Sequence, residues 1–188
     1  ADRLINIHWK NRKMTTDLLA QDIDVIIDKV GLGKRANENT KFLILPTNKA
    51  GPSEVVCGEK MSRFLTLYKV KTFSEAIDLA TKIQDYQGAG HSLGIHTQNE
   101  DRAHEIAMSA KTCRVIVNQA HCFATGGFFN NGLPFSLSMG CGSWGGNSID
   151  GNLNWEHFVN KVRVVQTIAE NKPDLEEIFG DYWGETSR

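Results

Sequence analysis

The chain has 188 residues, of which 40% are hydrophobic and 23% are charged, as is usual for a globular protein with an apolar core. The 21 basic and 22 acidic residues almost cancel, which gives no electrostatic support to binding of nucleic acid or a membrane surface. No apolar run is long enough to span a bilayer, and the four cysteines form no CxxC pair, so free thiols in a reducing cytoplasm are the simplest interpretation.

The first part of the chain predicts one helix and two strands. Apolar residues recur at helical spacing over 17–30, and Gly31 is a natural end for that helix. Lys41 to Leu45 is typical of a short buried strand closed by Pro46, and 64–70 is a second strand candidate.

The middle of the chain continues this alternation. Thr72 and Glu75 have the spacing of a capping box, and the helix behind them should end at 88–90, where two glycines occur. A strand is predicted at 92–96 and another at 113–118. Between them lies a helix with these predicted capping and buried residues: Asn99, and then Ala103, Ile106, Ala107 and Ala110. The pattern predicts an α/β fold with a mostly parallel sheet flanked by helices.

The segment 115–149 contains no Asp, Glu, Lys or Arg, and eight of the 17 glycines fall between Gly126 and Gly151. Surface loops normally carry charge, and this segment is too polar for a membrane helix. We therefore expect a loop that lines a cleft, where backbone amides and short polar side chains meet a ligand. Packing against a partner subunit is the alternative.

Charge returns after Asn154. The run 162–168 predicts a strand, 174–180 predicts a helical turn, and the last four residues, 185–188, are expected to fray.

Two residues invite a catalytic interpretation from pattern alone. Cys141 is flanked by glycines that would let a substrate approach a nucleophile, with His91 or His121 as its base. A buried structural cysteine is the alternative. His91, at a junction between loop and strand, is a candidate general acid or base, and a hydrogen-bonded structural histidine is its alternative.

Other chemistry has less support. The spacings of the histidines and cysteines match no compact zinc pattern, so no metal site is predicted among His91, His96, His104, Cys113, His121 and Cys122. Glu59, between two predicted strands, is either a surface carboxylate or an acceptor for ribose hydroxyls. The glycines do not form a phosphate-binding motif.

The block from Leu137 to Ser148, LSMGCGSWGGNS, closely resembles a signature of CoA-acylating aldehyde dehydrogenases. These include the aldehyde half of bifunctional aldehyde-alcohol dehydrogenases and the succinate-semialdehyde and sulfoacetaldehyde enzymes. The resemblance continues through 152–163 and includes 58–62 (GEKMS) and 90–92 (GHS) in the expected order. It covers most of the chain from about Phe42 to Val165.

The resemblance implies oxidation of an aldehyde by NAD(P) and transfer of the acyl group to CoA through a cysteine thioester. It implies that Glu59 contacts the nicotinamide ribose and that Met61 packs near the nicotinamide. His91 would assist proton transfer or CoA attack. The loop containing Gly140, Cys141, Ser143 and Trp144 would line the acyl end of the cleft, and in this family its cysteine is not the nucleophile.

One departure from the family pattern concerns the nucleophile, which in the family lies well before the GEKMS element. Only 58 residues precede Glu59, and Cys57 is their only cysteine. We therefore expect residues 1–188 to be a C-terminal catalytic and oligomerisation portion, inactive alone, without the Rossmann cofactor domain. The strand 162–168 resembles the family's oligomerisation strand and implies a homo-oligomer.

The subtype rests on two further stretches. The runs 123–135 and 179–183 are similar to sulfoacetaldehyde dehydrogenases that produce sulfoacetyl-CoA. Two rival classes stay open: a non-acylating dehydrogenase that uses water in place of CoA, and a non-catalytic assembly module of the same fold.

Overall fold

A computed structural model of the chain describes residues 5, 8–11 and 13–186. The chain divides into two compact units, Ala1–His157 and Phe158–Arg188. No helix within the described residues combines the length and the apolar character needed to cross a membrane.

The first unit begins with a short hairpin and a parallel strand pair. Strands β1 (Trp9–Lys10) and β2 (Lys13–Met14) pair antiparallel. Strands β3 (Leu43–Pro46) and β4 (Phe64–Leu67) pair in parallel, with Leu43 opposite Phe64. They share one buried apolar cluster with helix α1 (Ile23–Lys29): Trp9, Met14, Leu18, Ile26, Leu45, Val56 and Phe64.

Helix α1 spans Ile23–Lys29 and is shorter than predicted at its start. The residues before it form a 3-10 turn at Thr16–Leu18, and Ala20 has a φ of 53°, which a right-handed helix does not allow. The predicted apolar face is confirmed at Ile26, which is fully buried, and Gly31 follows the helix with a φ of 67°.

Helix α2 spans Phe73–Tyr86, and its predicted capping residues are in place. The Thr72 hydroxyl accepts from the Glu75 N–H at 3.2 Å. The Glu75 carboxylate accepts from the N–H of Lys71, at 2.7 Å, and not from that of Thr72. The two side chains therefore still satisfy two donors at the start of the helix.

A second parallel pair follows, β5 (Leu93–Ile95) with β6 (Val115–Val117), connected through helix α3 (Asp101–Ser109). The residue that caps α3 at its start is Glu100, while the Asn99 side chain accepts from the Asp101 N–H at 2.9 Å. The predicted α/β character with parallel strands is confirmed, but the described strands form separate pairs and not one continuous sheet.

The predicted buried face of α3 is confirmed at Ile106 and Ala110 and is wrong at Ala107, which is exposed. A sheet of two strands covers only a narrow stripe of the helix. Ala107, one position round from Ile106, falls outside that stripe.

In the second unit, the strand predicted at 162–168 is wrong for this chain alone, because the structure has no helix or strand there. A strand needs a hydrogen-bonded partner, and the apolar side chains stay between 82% and 91% exposed at Val162, Val164, Val165 and Ile168. The homo-oligomer through this segment stays a prediction that light scattering on the full-length protein can test.

Helix α4 is the short helix His121–Ala124 of the first unit. In the second unit, helix α5, Leu175–Thr186, is longer than the turn predicted at 174–180. The Asp174 carboxylate accepts from the Glu176 N–H at 2.7 Å and so satisfies one of the first free donors of the helix. Of the four residues expected to fray, Glu185 and Thr186 end α5, and the last two lie outside the described residues.

Candidate functional site

His91 lies on a tight turn at the amino end of β5. Gly90 forms a parallel bridge to Thr112, its N–H donating to the Lys111 carbonyl at 2.7 Å and its carbonyl accepting from Cys113 at 3.0 Å. Gly90 has a φ of 87°, a conformation that glycine adopts without strain. The exposed imidazole of His91 is thus carried by a backbone fixed on both sides.

The His91 ring belongs to a chain of three side chains. His91 Nδ1 lies 2.6 Å from the Ser92 hydroxyl, and the same oxygen lies 2.8 Å from His121 Nε2. His121 begins helix α4, His121–Ala124. Burial lowers the pKa of His121, and the nearby His91 lowers it further, so the His121 imidazole is neutral near pH 7.

The uncharged segment folds back on itself as a hairpin next to this turn. Gly140 donates to the Gly151 carbonyl and Gly142 donates to the Ile149 carbonyl, both at 2.9 Å. The hairpin tip contains a 3-10 turn, Ser143–Gly145, so the candidate loop residues Ser143 and Trp144 project from it and are exposed.

Cys141 occupies one arm of this hairpin and is half-buried. Its N–H donates to the Asn147 side chain at 2.8 Å. A side-chain carbon on Gly90 would collide with the Cys141 carbonyl, and one on Gly145 would collide with the Cys141 side chain. Two glycines therefore allow the hairpin to lie directly against the backbone turn that carries His91.

Arg114 connects the turn that carries His91 to the hairpin that contains Cys141. Its side chain is 5% exposed. The guanidinium donates to the carbonyls of His91 at 2.9 Å and Gly140 at 3.0 Å, to the Asn152 side chain at 2.9 Å, and to the Asp150 carbonyl at 3.3 Å. One buried cation thus ties the His91 turn to both arms of the hairpin.

Glu59 lies on a separate loop, and Gln87 connects it to the segment that carries His91. The Glu59 N–H donates to the Gln87 side-chain oxygen at 2.8 Å, while the Glu59 carboxylate is exposed. Met61 is 70% exposed with a φ of 44°, and its carbonyl accepts from the Ala20 N–H at 2.8 Å.

The structure therefore brings the turn that carries His91 against the Gly140–Trp144 loop, through Gly90 and Cys141. It links Glu59 to the His91 segment through Gln87 and leaves Met61 exposed. Sequence reasoning missed Arg114 as an organising residue. The sequence signal was its position immediately before the uncharged segment. With no carboxylate in that segment, the five N–H donors of the guanidinium are expected to pair with backbone carbonyls or amide side chains.

The other cysteines and the metal candidates are placed differently. Cys57 is buried, and its sulfur hydrogen bonds to the backbone of Gly51. Burial raises the pKa of the Cys113 thiol, which disfavours its thiolate. No group of three or more metal-ligating side chains occurs within the described part of the chain.

Comparison with known proteins identifies the relatives of this chain. It is 39% identical over 186 residues to an acylating sulfoacetaldehyde dehydrogenase from Cupriavidus necator, covering 99% of this chain and 38% of that protein. It is 38% identical over 173 residues to an acetylating succinate-semialdehyde dehydrogenase from Clostridium kluyveri, covering 92% of this chain and 38% of that protein. The chain is a homologue of the acylating aldehyde dehydrogenases. It spans about two fifths of the length of these relatives.

Solved structures of acylating aldehyde dehydrogenases and related enzymes share the fold. An acetylating aldehyde dehydrogenase from Geobacillus thermoglucosidasius superposes with a TM-score of 0.80 at 26% identity, covering 92% of this chain and 38% of that one. A probable aldehyde dehydrogenase from Listeria monocytogenes gives 0.82 at 27% identity, covering 95% and 38%. No protein family model matches the chain. The predicted resemblance of the chain to acylating aldehyde dehydrogenases is confirmed by relatives that match almost the whole chain.

Proposed function

We propose that the chain is the C-terminal catalytic and oligomerisation portion of an enzyme that oxidises an aldehyde to an acyl-CoA with NAD(P) and CoA. The observation that carries the proposal is the contact of the His91 turn with the Cys141 hairpin, in a chain homologous to acylating aldehyde dehydrogenases. The nucleophilic cysteine and the Rossmann domain are proposed to lie outside these 188 residues.

His91 is the residue of this chain best placed to move a proton. Its ring is exposed, and its backbone is fixed by the Gly90 bridge and by Arg114. An imidazole nitrogen that carries no hydrogen can accept the proton of the CoA thiol as the sulfur attacks the acyl group. His91 is therefore the proposed general base for acyl transfer.

The proposed cofactor contacts are Glu59 and Met61. NAD(P) supplies the hydride acceptor when it is bound. The exposed Glu59 carboxylate fits that group chemically, because it is an acceptor that ribose hydroxyls can donate to, and Gln87 fixes its backbone. The exposed Met61 side chain offers an apolar, polarisable surface to a flat ring.

The loop containing Gly140, Cys141, Ser143 and Trp144 is the proposed wall of the acyl pocket. It borders an open depression of about 350 Å³ formed by 138–140 and 146–149. Trp144 offers a substrate its ring faces and its indole N–H, and the other three residues of the loop offer only hydroxyl, thiol and backbone groups. Cys141 has the place of a lining residue in this proposal and not of the nucleophile.

The proposed substrate is an aldehyde with a negatively charged group, sulfoacetaldehyde above all. Three relatives at 39%, 36% and 33% identity are named sulfoacetaldehyde dehydrogenases, and the succinate-semialdehyde relative at 38% identity is also named for an anionic aldehyde. An anionic substituent is the property these two substrates share.

His91→Ala in the full-length enzyme should lower CoA-dependent NADH formation about 100-fold or more, the contribution of a typical general base. The assay follows NADH at saturating aldehyde with and without CoA. His104→Ala, at an exposed position on α3, is the matched control and should retain the parent rate. An unchanged rate in His91→Ala would remove His91 from the mechanism, and rapid turnover without CoA would favour a non-acylating dehydrogenase.

The second assay compares kcat/KM for sulfoacetaldehyde, succinate semialdehyde and acetaldehyde with the same enzyme. Sulfoacetaldehyde should exceed acetaldehyde by about 10-fold or more, since one charge-assisted hydrogen bond to an anionic group contributes about 1.5–3 kcal/mol. Equal or faster turnover of acetaldehyde would contradict the proposal of an anionic substrate, and preference for succinate semialdehyde would move it from sulfonate to carboxylate.

A further inference from the structure

Gly94 creates the space that His121 occupies. Ser92 immediately precedes β5, and Gly94 is the central residue of that strand. Both positions lie against the His121 ring. A side-chain carbon on Gly94 would lie 2.6 Å from His121 Nδ1, so the missing side chain is what lets the imidazole lie over the strand. From there its Nε2 reaches the Ser92 hydroxyl at 2.8 Å.

The Ser92 hydroxyl links the protonation of the two rings. It carries one proton and lies within hydrogen-bond distance of His91 Nδ1 and His121 Nε2. If it donates to His121, it must accept from His91, which requires the His91 proton on Nδ1. If it donates to His91 instead, it must accept from His121, and the His91 proton then lies on Nε2.

The first arrangement suits the chemistry of His91. Burial keeps His121 neutral, so its Nε2 can serve as the final acceptor of the chain. When His91 takes up a proton, both of its nitrogens carry hydrogen, and its Nδ1–H must donate to Ser92. Both hydrogen bonds of the network persist in both protonation states of His91 only if His121 Nε2 is the last acceptor.

We propose that Ser92 and His121 are positioning residues that hold His91 in the tautomer with its proton on Nδ1, leaving Nε2 free to accept a proton from substrate. In the reaction, which rests on the proposed function, the S–H bond of the CoA thiol breaks and an N–H bond forms at His91 Nε2. The electron pair of that S–H bond stays on sulfur, which attacks the acyl carbon of the proposed cysteine thioester. The bond from that carbon to the cysteine sulfur then breaks, and its electron pair leaves with the cysteine as a thiolate. Ser92 and His121 exchange no proton with substrate.

The test is a ¹⁵N NMR spectrum of the histidine-labelled full-length protein near pH 8, where the shifts of the two ring nitrogens report the tautomer. The parent should show His91 protonated on Nδ1. Ser92→Ala removes the acceptor. Gly94→Ala displaces the His121 ring without altering the chemistry of any of the three side chains of the network. In both variants the His91 proton should move toward Nε2, the tautomer that a histidine side chain prefers in water.

Ser109→Ala, which removes an exposed hydroxyl on α3, is the matched control and should leave the tautomer unchanged. A parent with the proton on Nε2, or a tautomer that neither Ser92→Ala nor Gly94→Ala changes, would overturn the proposal. If Ser92→Ala does not fold, Gly94→Ala decides alone, because Gly94 is an exposed residue without positive φ.

Activity of the full-length enzyme supplies an independent measurement. Ser92→Ala should lower the rate of CoA-dependent acyl transfer about 10-fold, and Ser92→Thr, which retains the hydroxyl, should restore it. A normal rate in Ser92→Ala would contradict the positioning role. If the parent enzyme transfers no acyl group to CoA, the proposed function fails, while the NMR result still decides the tautomer.

Discussion

Gly90→Ala should lower the free energy of unfolding by about 3 kcal/mol, from backbone strain and a collision that cannot relax. Gly90 has a φ of 87°, where an alanine is strained. The added carbon would also meet the carbonyl of Cys141, which is backbone and not a movable side chain. Urea denaturation followed by far-UV circular dichroism measures the loss.

Gly88→Ala separates these two causes, because Gly88 has nearly the same φ, 93°, with nothing within 4 Å of an added carbon. It should cost only about 1 kcal/mol, the strain alone. Equal losses in the two variants would show that the Cys141 hairpin moves aside without cost, and that it is not fixed against the His91 turn.

The absence of a side chain at Gly90 also explains how the His91 turn can lie against the hairpin. The His91 ring reaches solvent from a segment whose backbone contacts the residues just before β6, Lys111 to Cys113, on one side and the hairpin on the other. A residue with a side chain at position 90 would separate the hairpin from His91. Close contact of the two loops therefore depends on a residue with no side chain, and the chemistry proposed for His91 depends on that contact.

Local features of the fold could be predicted from the sequence because they depend on neighbouring residues. The Thr72 cap, the end of α1 at Gly31 and the burial of Ile26 each follow from a spacing of a few residues. The start of α1 was placed too early, since the left-handed conformation of Ala20 has no signal in an alanine.

Features that depend on distant residues could not be predicted from periodicity. The partners of Arg114 lie 23 to 38 residues away in sequence. The contact of His121 with Ser92 spans 29 residues and depends on the space above Gly94. The residues 162–168 have the composition of a strand, but a strand also needs a partner, which composition does not reveal.

The candidate site also combines residues that could be predicted from the sequence with contacts that could not. The resemblance supplied His91, Glu59, Met61 and the glycine-rich loop as a set, without the contacts that organise them. The structure supplies those contacts for His91 and the loop, through Arg114, and connects Glu59 through Gln87. Ser92 and His121 enter only because the hydrogen bonds are visible.

Arg114→Met should have the largest effect on stability, a loss of about 3–5 kcal/mol in the free energy of unfolding. The guanidinium is buried and donates to four acceptors. Three of them are backbone carbonyls, which stay in place when the side chain at position 114 changes. Methionine fills much of the volume but donates no hydrogen bond. The acceptors on Gly140 and Asn152 therefore stay buried and unpaired, and each of them costs about 1–3 kcal/mol before the loops relax. The partly buried carbonyls of His91 and Asp150 lose their Arg114 donor as well.

Arg114→Lys retains the charge but presents a single ammonium group, which cannot reach acceptors on the His91 turn and both hairpin arms at once. It should lose about 2 kcal/mol. Arg63→Met is the matched control, because Arg63 pairs with Asp22 at 3.0 Å with both side chains largely exposed, and its loss should stay below about 1 kcal/mol. If Arg114→Met were no more destabilising than Arg63→Met, the buried guanidinium would not be what joins the hairpin to the His91 turn.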